Sequence, residues 1–200
     1  MAEGFLLIIS GPSGSGKGTV CKELLKENED LIFSISATTR VPRVGEVDGV
    51  NYFFIDKNKF DNMVDNEEFL DYANVDNNYY GTPKAFVLDE IEKGNIVILE
   101  LDLQGAMQIK KVYPEGVFVF LLPPSMEELK KRIIKRGTES HRDIDIRLKN
   151  AFGELELIDE YDYFVVNDQV SNAVEKIETI INAEKLKVKR YDNLIKEIIG

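Results

Sequence analysis

Sulfur and imidazole chemistry are almost missing from this chain of 200 residues, which has one cysteine, Cys21, and one histidine, His141. A single cysteine excludes an intramolecular disulfide. One histidine leaves almost no material for a histidine metal cluster or a serine-histidine triad. Cys21 is expected to pack as a small apolar group and His141 to sit on a solvated helix. Long hydrophobic runs are lacking too. The first one, Phe5 to Ile9, leads straight into a glycine-rich turn, unlike a signal peptide, and no segment approaches the ~18 apolar residues of a membrane span. A soluble, cytoplasmic protein with no membrane partner is expected. Positive charge is in deficit, with 25 Lys and Arg against 36 Asp and Glu and a formal net charge of −11. That balance argues against nucleic-acid binding driven by overall charge, but says nothing of a local basic pocket. The 44% apolar content suits one sizeable core with small inserted subdomains.

Five short apolar runs, Phe5–Ser10, Leu31–Ser36, Ile96–Leu101, Val117–Leu122 and Tyr163–Val166, stand apart with helical patterns between most of them. Their near-continuous apolar character predicts strands buried on both faces, hence an α/β fold with a parallel central sheet flanked by helices. Two stretches break the rhythm. Residues 37–84 carry turn signals, aromatic pairs and short extended pieces such as Tyr52–Ile55, and read as an α+β insertion. Residues 125–160, with a helix start at Ser125 and a break at Arg136-Gly137-Thr138, read as a helical hairpin that forms a lid. The core is then residues 1–36, 85–124 and 161–200.

The stretch Gly11-Pro12-Ser13-Gly14-Ser15-Gly16-Lys17-Gly18-Thr19 lies between the first apolar run and a helical pattern through Leu24 and Leu25. In that context it is a P-loop: glycines let the backbone N–H groups curl inward, the helix N-terminus adds partial positive charge and Lys17 adds a full one. The alternative is a glycine-rich turn that binds nothing. The hydroxyl that commonly holds a metal just after the lysine is replaced by Gly18 and comes one residue late, at Thr19. Direct ligation of a metal by the loop is therefore not expected.

A second candidate site spans Ser34 to Tyr52, where Arg40 and Arg43 flank Pro42 and a tyrosine follows a glycine turn. Two guanidinium forks and a phenol suit an oxyanion such as a phosphate, while a polar hairpin with incidental arginines is the bland alternative. Likewise Arg132, Arg136, Arg142 and Arg147 are either a solvated helix face or a phosphate-binding cluster.

Taken in order, these segments with Asn78-Tyr79-Tyr80-Gly81-Thr82, Glu100-Leu101-Asp102-Leu103-Gln104-Gly105, Pro123-Pro124-Ser125 and Val166-Asn167-Asp168 resemble the guanylate kinases over about residues 5–186. The Gly-Lys-Gly-Thr ending is that of small nucleoside monophosphate kinases. The resemblance implies a P-loop NTPase-type sheet, a GMP-binding insertion, a lid, and Mg2+-assisted phosphoryl transfer from ATP to GMP or dGMP. It assigns catalysis to Lys17, Arg136, Arg147 and Arg132, and ATP binding to Gly11 through Thr19 with Asn167, although an Asn-Asp turn also explains Asn167. Arg40, Arg43, Tyr52 and Tyr80 would hold the acceptor phosphate, and Ser36, Asp71 and Thr82 would face guanine. Glu100 and Asp102 would arrange the acceptor base or metal waters, with Thr19 a further water-mediated candidate for Mg2+. Asp71 stands where the family usually has glutamate, one methylene longer. A catalytically inactive interaction module of the same fold is the alternative, against which stand the retained Lys17, glycines and lid arginines. At the C-terminus, Tyr191, Leu194, Ile195 and Ile198 form a stripe at helical spacing, expected to pack on its own core, with a homo-oligomer contact as the alternative.

Overall fold

Along the first strand, Phe5–Ser10 (β1), side chains alternate between two hydrophobic cores. Phe5, Leu7 and Ile9 join one core and Leu6 and Ile8 the other, all at most 1% exposed. A strand buried on both faces lies in the middle of a sheet covered by helices on either side. The computed structural model describes residues 4–75, 77–135 and 141–191, with the backbone alone for 75, 135 and 141–147. After β1 come α1 (Lys17–Glu27), β2 (Leu31–Phe33), β3 (Ala37–Thr38), β4 (Phe53–Phe54), α2 (Lys57–Asp65), β5 (Phe69–Val75) and β6 (Asn78–Pro83). Then follow α3 (Lys84–Glu92), β7 (Ile96–Glu100), α4 (Leu103–Val112), β8 (Val117–Leu122), α5 (Met126–Lys135), α6 (His141–Leu155), β9 (Tyr163–Val166) and α7 (Val170–Lys185).

The five expected strands form one sheet in the order β2-β7-β1-β8-β9, with every pairing parallel. The fold is therefore the expected α/β one. Helices α1 and α7 cover the face of Leu7 and Ile98, and α3 and α4 cover the face of Ile8 and Val97. Strand β2 is shorter than its apolar run. Ser34 N–H still bonds Ile98 O at 3.0 Å, but Ser36 O already accepts from Phe53 N–H in a second sheet. That sheet, ordered β4-β3-β6-β5, is mixed and sits wholly within residues 37–83. It has its own aromatic centre, where Phe60 is fully buried and stacks on Phe69 at 4.5 Å. The hairpin α5–α6 has a small core of Leu129, Ile133 and Ala151. Among the described residues no helix is long and apolar enough to cross a membrane.

Beyond α7 the chain is tied down by charge. Arg190 and Glu184 are buried, 7% and 1% exposed, and bond Nη2 to Oε2 at 2.9 Å. Arg190 also donates Nε–H to Glu184 O at 2.9 Å and lies 4.0 Å over the ring of Phe5. Glu184 further accepts from Tyr163 Oη at 2.7 Å and pairs with Lys187 at 2.5 Å. Of the C-terminal stripe only Tyr191 is described; Leu194, Ile195 and Ile198 lie outside the described residues.

Removing one partner of a buried pair leaves the other charge uncompensated, so Arg190→Ala is expected to cost about 3 kcal/mol in urea unfolding. Burial pushes the Glu184 carboxyl up, but bonds from Lys187, Tyr163 and Arg190 together hold it below its ordinary value of 4.5. Its contribution is present above about pH 4.5 and is lost as pH falls through the lower folded value. The native protein should thus show a steeper loss of stability than the Arg190→Ala variant in acid. Superimposable pH–stability curves would contradict this.

Candidate active site

The turn after β1 is possible because glycine stands where no other residue fits. Gly11 has φ +143° and a Cβ there would lie 2.3 Å from Leu121 O; Gly16 has φ +98° and a Cβ would lie 2.3 Å from Asn167 Nδ2. Gly14 also has positive φ. The loop's carbonyls are held by side chains. Lys17 Nζ donates to Gly11 O at 2.6 Å, and Asn167 Nδ2 donates to Ser15 O at 2.7 Å. Arg132 donates to Asn167 O at 3.1 Å and to Ser15 O at 3.4 Å, while its Nε–H is taken by Glu128 at 3.1 Å. With carbonyls turned outward, the N–H groups at the head of α1 are left to face a ligand. Arg132 and Asn167 therefore touch the loop from behind. Cys21, one turn into α1, is buried, and burial, with Glu100 adding to it, pushes its thiol up to about 12, so it is an inert packing group.

In front of the loop is a cavity of about 410 Å3, with Gly14, Lys17 and Gly18 on one side and Glu100, Asp102 and Glu154 on the other. Next to it, a cavity of about 180 Å3 is walled by Ser36, Asp71, Tyr80, Thr82, Gln104 and Gln108. Glu100, Leu101 and Asp102 belong to both linings, so the end of β7 is the partition where the two cavities meet. The carboxyl end of a central parallel strand is where this class of sheet exposes its ligand site. Asp102 has a second duty there, capping α4 by accepting from Gly105 N–H at 2.8 Å. Glu100 Oε2 closes over Gly18, 3.2 Å from where a Cβ would be, so its carboxylate occupies the space a loop serine or threonine would use. Thr19 is exposed and does not line the cavity.

Asp71 is brought into the smaller cavity by an irregularity of β5. Pairing with β6 runs Phe69 with Pro83 and then Tyr72 with Gly81, so one extra residue is accommodated at Leu70–Asp71. A bulge of this kind re-aims a side chain. Leu70 goes to the core beneath, and Asp71 Oδ1 is buried with no hydrogen-bond partner. Burial raises the Asp71 carboxyl above its ordinary range; bonds from Thr82 work against this and Asp102 adds to it. Glu68, three residues earlier, is exposed and lines a different cavity.

Arg40 is not a free fork. Its Nη1 and Nη2 bond both oxygens of Glu46 at 2.9 and 3.0 Å, and Nη1 also bonds Val41 O at 2.9 Å. Tyr52 and Phe54 lie under the guanidinium at 5.3 and 5.7 Å from their ring centres. Glu46 also accepts from Arg43 N–H at 2.7 Å, and with the Arg40 bond as the main cause its carboxyl is held down to about 2. Tyr52 packs edge-on to Tyr80 at 6.0 Å, so Arg40, Tyr52 and Tyr80 form one aromatic and basic rim, while Arg43, tied to Glu46 through its backbone N–H, is exposed. What remains on Arg40 is its side edge, Nε and one Nη2 hydrogen, shared with Tyr80.

Of the remaining expected residues, Ser36 and Thr82 line the smaller cavity and Pro12, Ser13 and Ser15 lie in the loop. Arg136 lies outside the described residues, and Arg147 is described only as a backbone position on α6. Sequence reasoning missed Glu46 as the partner of Arg40, and missed Glu154 altogether. Glu46 was legible in the Arg-x-x-Arg-x-x-Glu spacing, since a carboxylate inside an arginine loop invites pairing. Glu154 had no signal beyond standing seven residues after Arg147 on one helix.

The guanylate kinase family profile matches residues 4–184. The chain is 57% identical to a guanylate kinase of Clostridioides difficile over 98% of its length and 95% of the relative's. With a guanylate kinase of Caldanaerobacter subterraneus it shares 56% identity, covering 98% and 95% of the two chains. The crystal structure of guanylate kinase from Anaplasma phagocytophilum superposes with a TM-score of 0.71 at 35% identity, covering 94% of this chain and 90% of that one. Parallel sheet, glycine loop, paired cavities and these likenesses have one explanation: the chain belongs to the guanylate kinase family.

Proposed function

We propose that phosphoryl transfer from ATP to GMP, the activity of this family, takes place across the end of β7, with the donor phosphates in the P-loop cavity and GMP in the smaller one. The observation that carries this reading is the shared wall of Glu100, Leu101 and Asp102, which lets two nucleotides meet end to end. The nucleophile, a phosphate oxygen of GMP, is already ionised at neutral pH, so no general base is required. The task is to bring two polyanions together and stabilise charge in flight. Lys17 serves that purpose beside the loop N–H groups, and Arg136 and Arg147 from the lid. Arg132 and Asn167 act one step back, fixing the loop that Lys17 and the N–H groups belong to. Residues 37–84 are the acceptor-binding insertion, 125–160 the lid, and closure of both excludes water as a competing acceptor.

At the acceptor end, Arg40, Arg43, Tyr52 and Tyr80 hold the phosphate of GMP, with Glu46 fixing Arg40 so that its side edge is offered. Ser36, Thr82 and Asp71 read the base. Guanine has adjacent N1–H and N2–H donors for the Asp71 carboxylate, and the buried unpartnered Oδ1 supports this. Adenine has an unprotonated N1 and no 2-amino group. It would leave the carboxylate unpaired, at a cost of a few kcal/mol. The extra residue in β5 compensates for the arm that is one methylene short. Mg2+, a hard cation that keeps its waters, fits the oxygen-only donor set of Glu100 and Asp102, held through water. Bound there with the nucleotide, it would neutralise phosphate charge. A cytoplasmic enzyme acting on GMP and dGMP without nucleic-acid or membrane partners agrees with the acidic composition.

A coupled assay with ATP, Mg2+ and each of GMP, dGMP, AMP, UMP and dTMP tests the assignment. Turnover should be strong with GMP, lower with dGMP and very small with the others. Equal activity on AMP would refute it.

Asp71→Asn turns one acceptor into a donor facing guanine donors, so KM for GMP should rise by about two orders of magnitude and selectivity over AMP should fall. Asp71→Glu should be milder, and Glu68→Gln close to native. The opposite ranking, with Glu68→Gln the damaging change, would move base recognition to Glu68.

A further inference from the structure

One charge in the donor cavity has no part in the roles above. Glu154 stands on the last turn of α6 and faces the P-loop across the cavity that Lys17, Glu100 and Asp102 also line. Its Oε2 is buried and has no hydrogen-bond partner among the described residues. The other two carboxylates are accounted for, Asp102 as the cap of α4 and Glu100 as the group packed over Gly18. Burial raises the Glu154 carboxyl, Lys17 lowers it and Asp102 raises it. The neighbouring phenol of Tyr161 is likewise pushed up to about 12, by burial first, with Glu154 and Asp102 adding to it. In a cavity shaped for a polyanion, two carboxylates, Glu154 and Asp102, thus stand beside Lys17. A buried carboxylate oxygen without a partner costs stability, and beside phosphates a carboxylate also costs affinity.

We propose that Glu154 is a release residue: its carboxylate repels the phosphates of the nucleotide at the P-loop and so keeps ATP and ADP exchange fast. The same helix carries Arg147 seven residues earlier, about two turns away along the chain. One rigid element thus combines a cation used for charge in flight with an anion that disfavours the resting complexes. Weakening bound ground states without weakening the transition state raises turnover when release limits it. The inference rests on the reading of the P-loop cavity as the donor phosphate site.

Titration calorimetry of ADP with EDTA, and of ADP with excess Mg2+, on the native protein and on Glu154→Gln and Glu154→Asp tests it. Glu154→Gln is expected to bind ADP about tenfold more tightly without Mg2+, and less so with Mg2+, since a unit charge a few ångströms away in a partly screened site is worth at least that factor. Stopped-flow release of ADP should slow by the same factor. Glu154→Asp, which keeps the charge, should stay near native, and Glu154→Gln should melt no lower than native. Unchanged or weaker ADP binding by Glu154→Gln overturns the inference: weakening only with Mg2+ would make Glu154 a partner of the cation, and a lower melting temperature at unchanged affinity would make it a packing residue. If the native protein failed to bind ADP, the donor-site reading would fall, and this inference with it.

Discussion

Everything in the donor half depends on where the carbonyls of one loop are sent. A backbone turn that presents N–H groups to a phosphate must turn its C=O groups elsewhere, and buried carbonyls need donors. Here side chains from three parts of the chain supply them: Lys17 to Gly11, and Asn167 and Arg132 to Ser15. The clamp brings the end of β9 and the first lid helix directly against the loop. It also explains why Gly16 has no side chain, since Asn167 fills that space.

Charge is distributed by the same economy. The protein is acidic overall, yet three cations near the cavities have partners that fix them: Glu46 for Arg40, loop carbonyls for Lys17, Glu128 for Arg132. A guanidinium fixed before the substrate arrives loses less entropy on binding a phosphate. At the partition Asp102 is both helix cap and cavity wall. On the acceptor side Asp71, bonded by Thr82, keeps Oδ1 without a partner among the described residues, and the pairing of that oxygen would identify a base.

Much of this was legible in the chain. Apolar runs gave all five strands of the main sheet, because strands buried on both faces must be apolar throughout. Strand β7 ends one residue before its run and β2 three residues before, since the chain leaves the sheet at Ser34 to begin the second one, and a hydrogen bond from Phe53 back to Ser36 is not written in local composition. The bulge at Leu70–Asp71 was not legible either. It depends on register against β6, which period-2 patterning alone does not fix for a short, mixed sheet.

The residues of the phosphate loop, the order of helices and strands, and the family were determined by the sequence itself, since glycine, lysine and apolar periodicity act through nearest neighbours along the chain. Tertiary structure alone decided which groups face one another. That Asn167 and Arg132 grip the loop from behind, that Glu46 occupies the fork of Arg40, and that Glu154 enters the donor cavity are pairings between distant segments. Such contacts are selected by the packing of helices on a sheet, and a one-dimensional pattern carries no record of them.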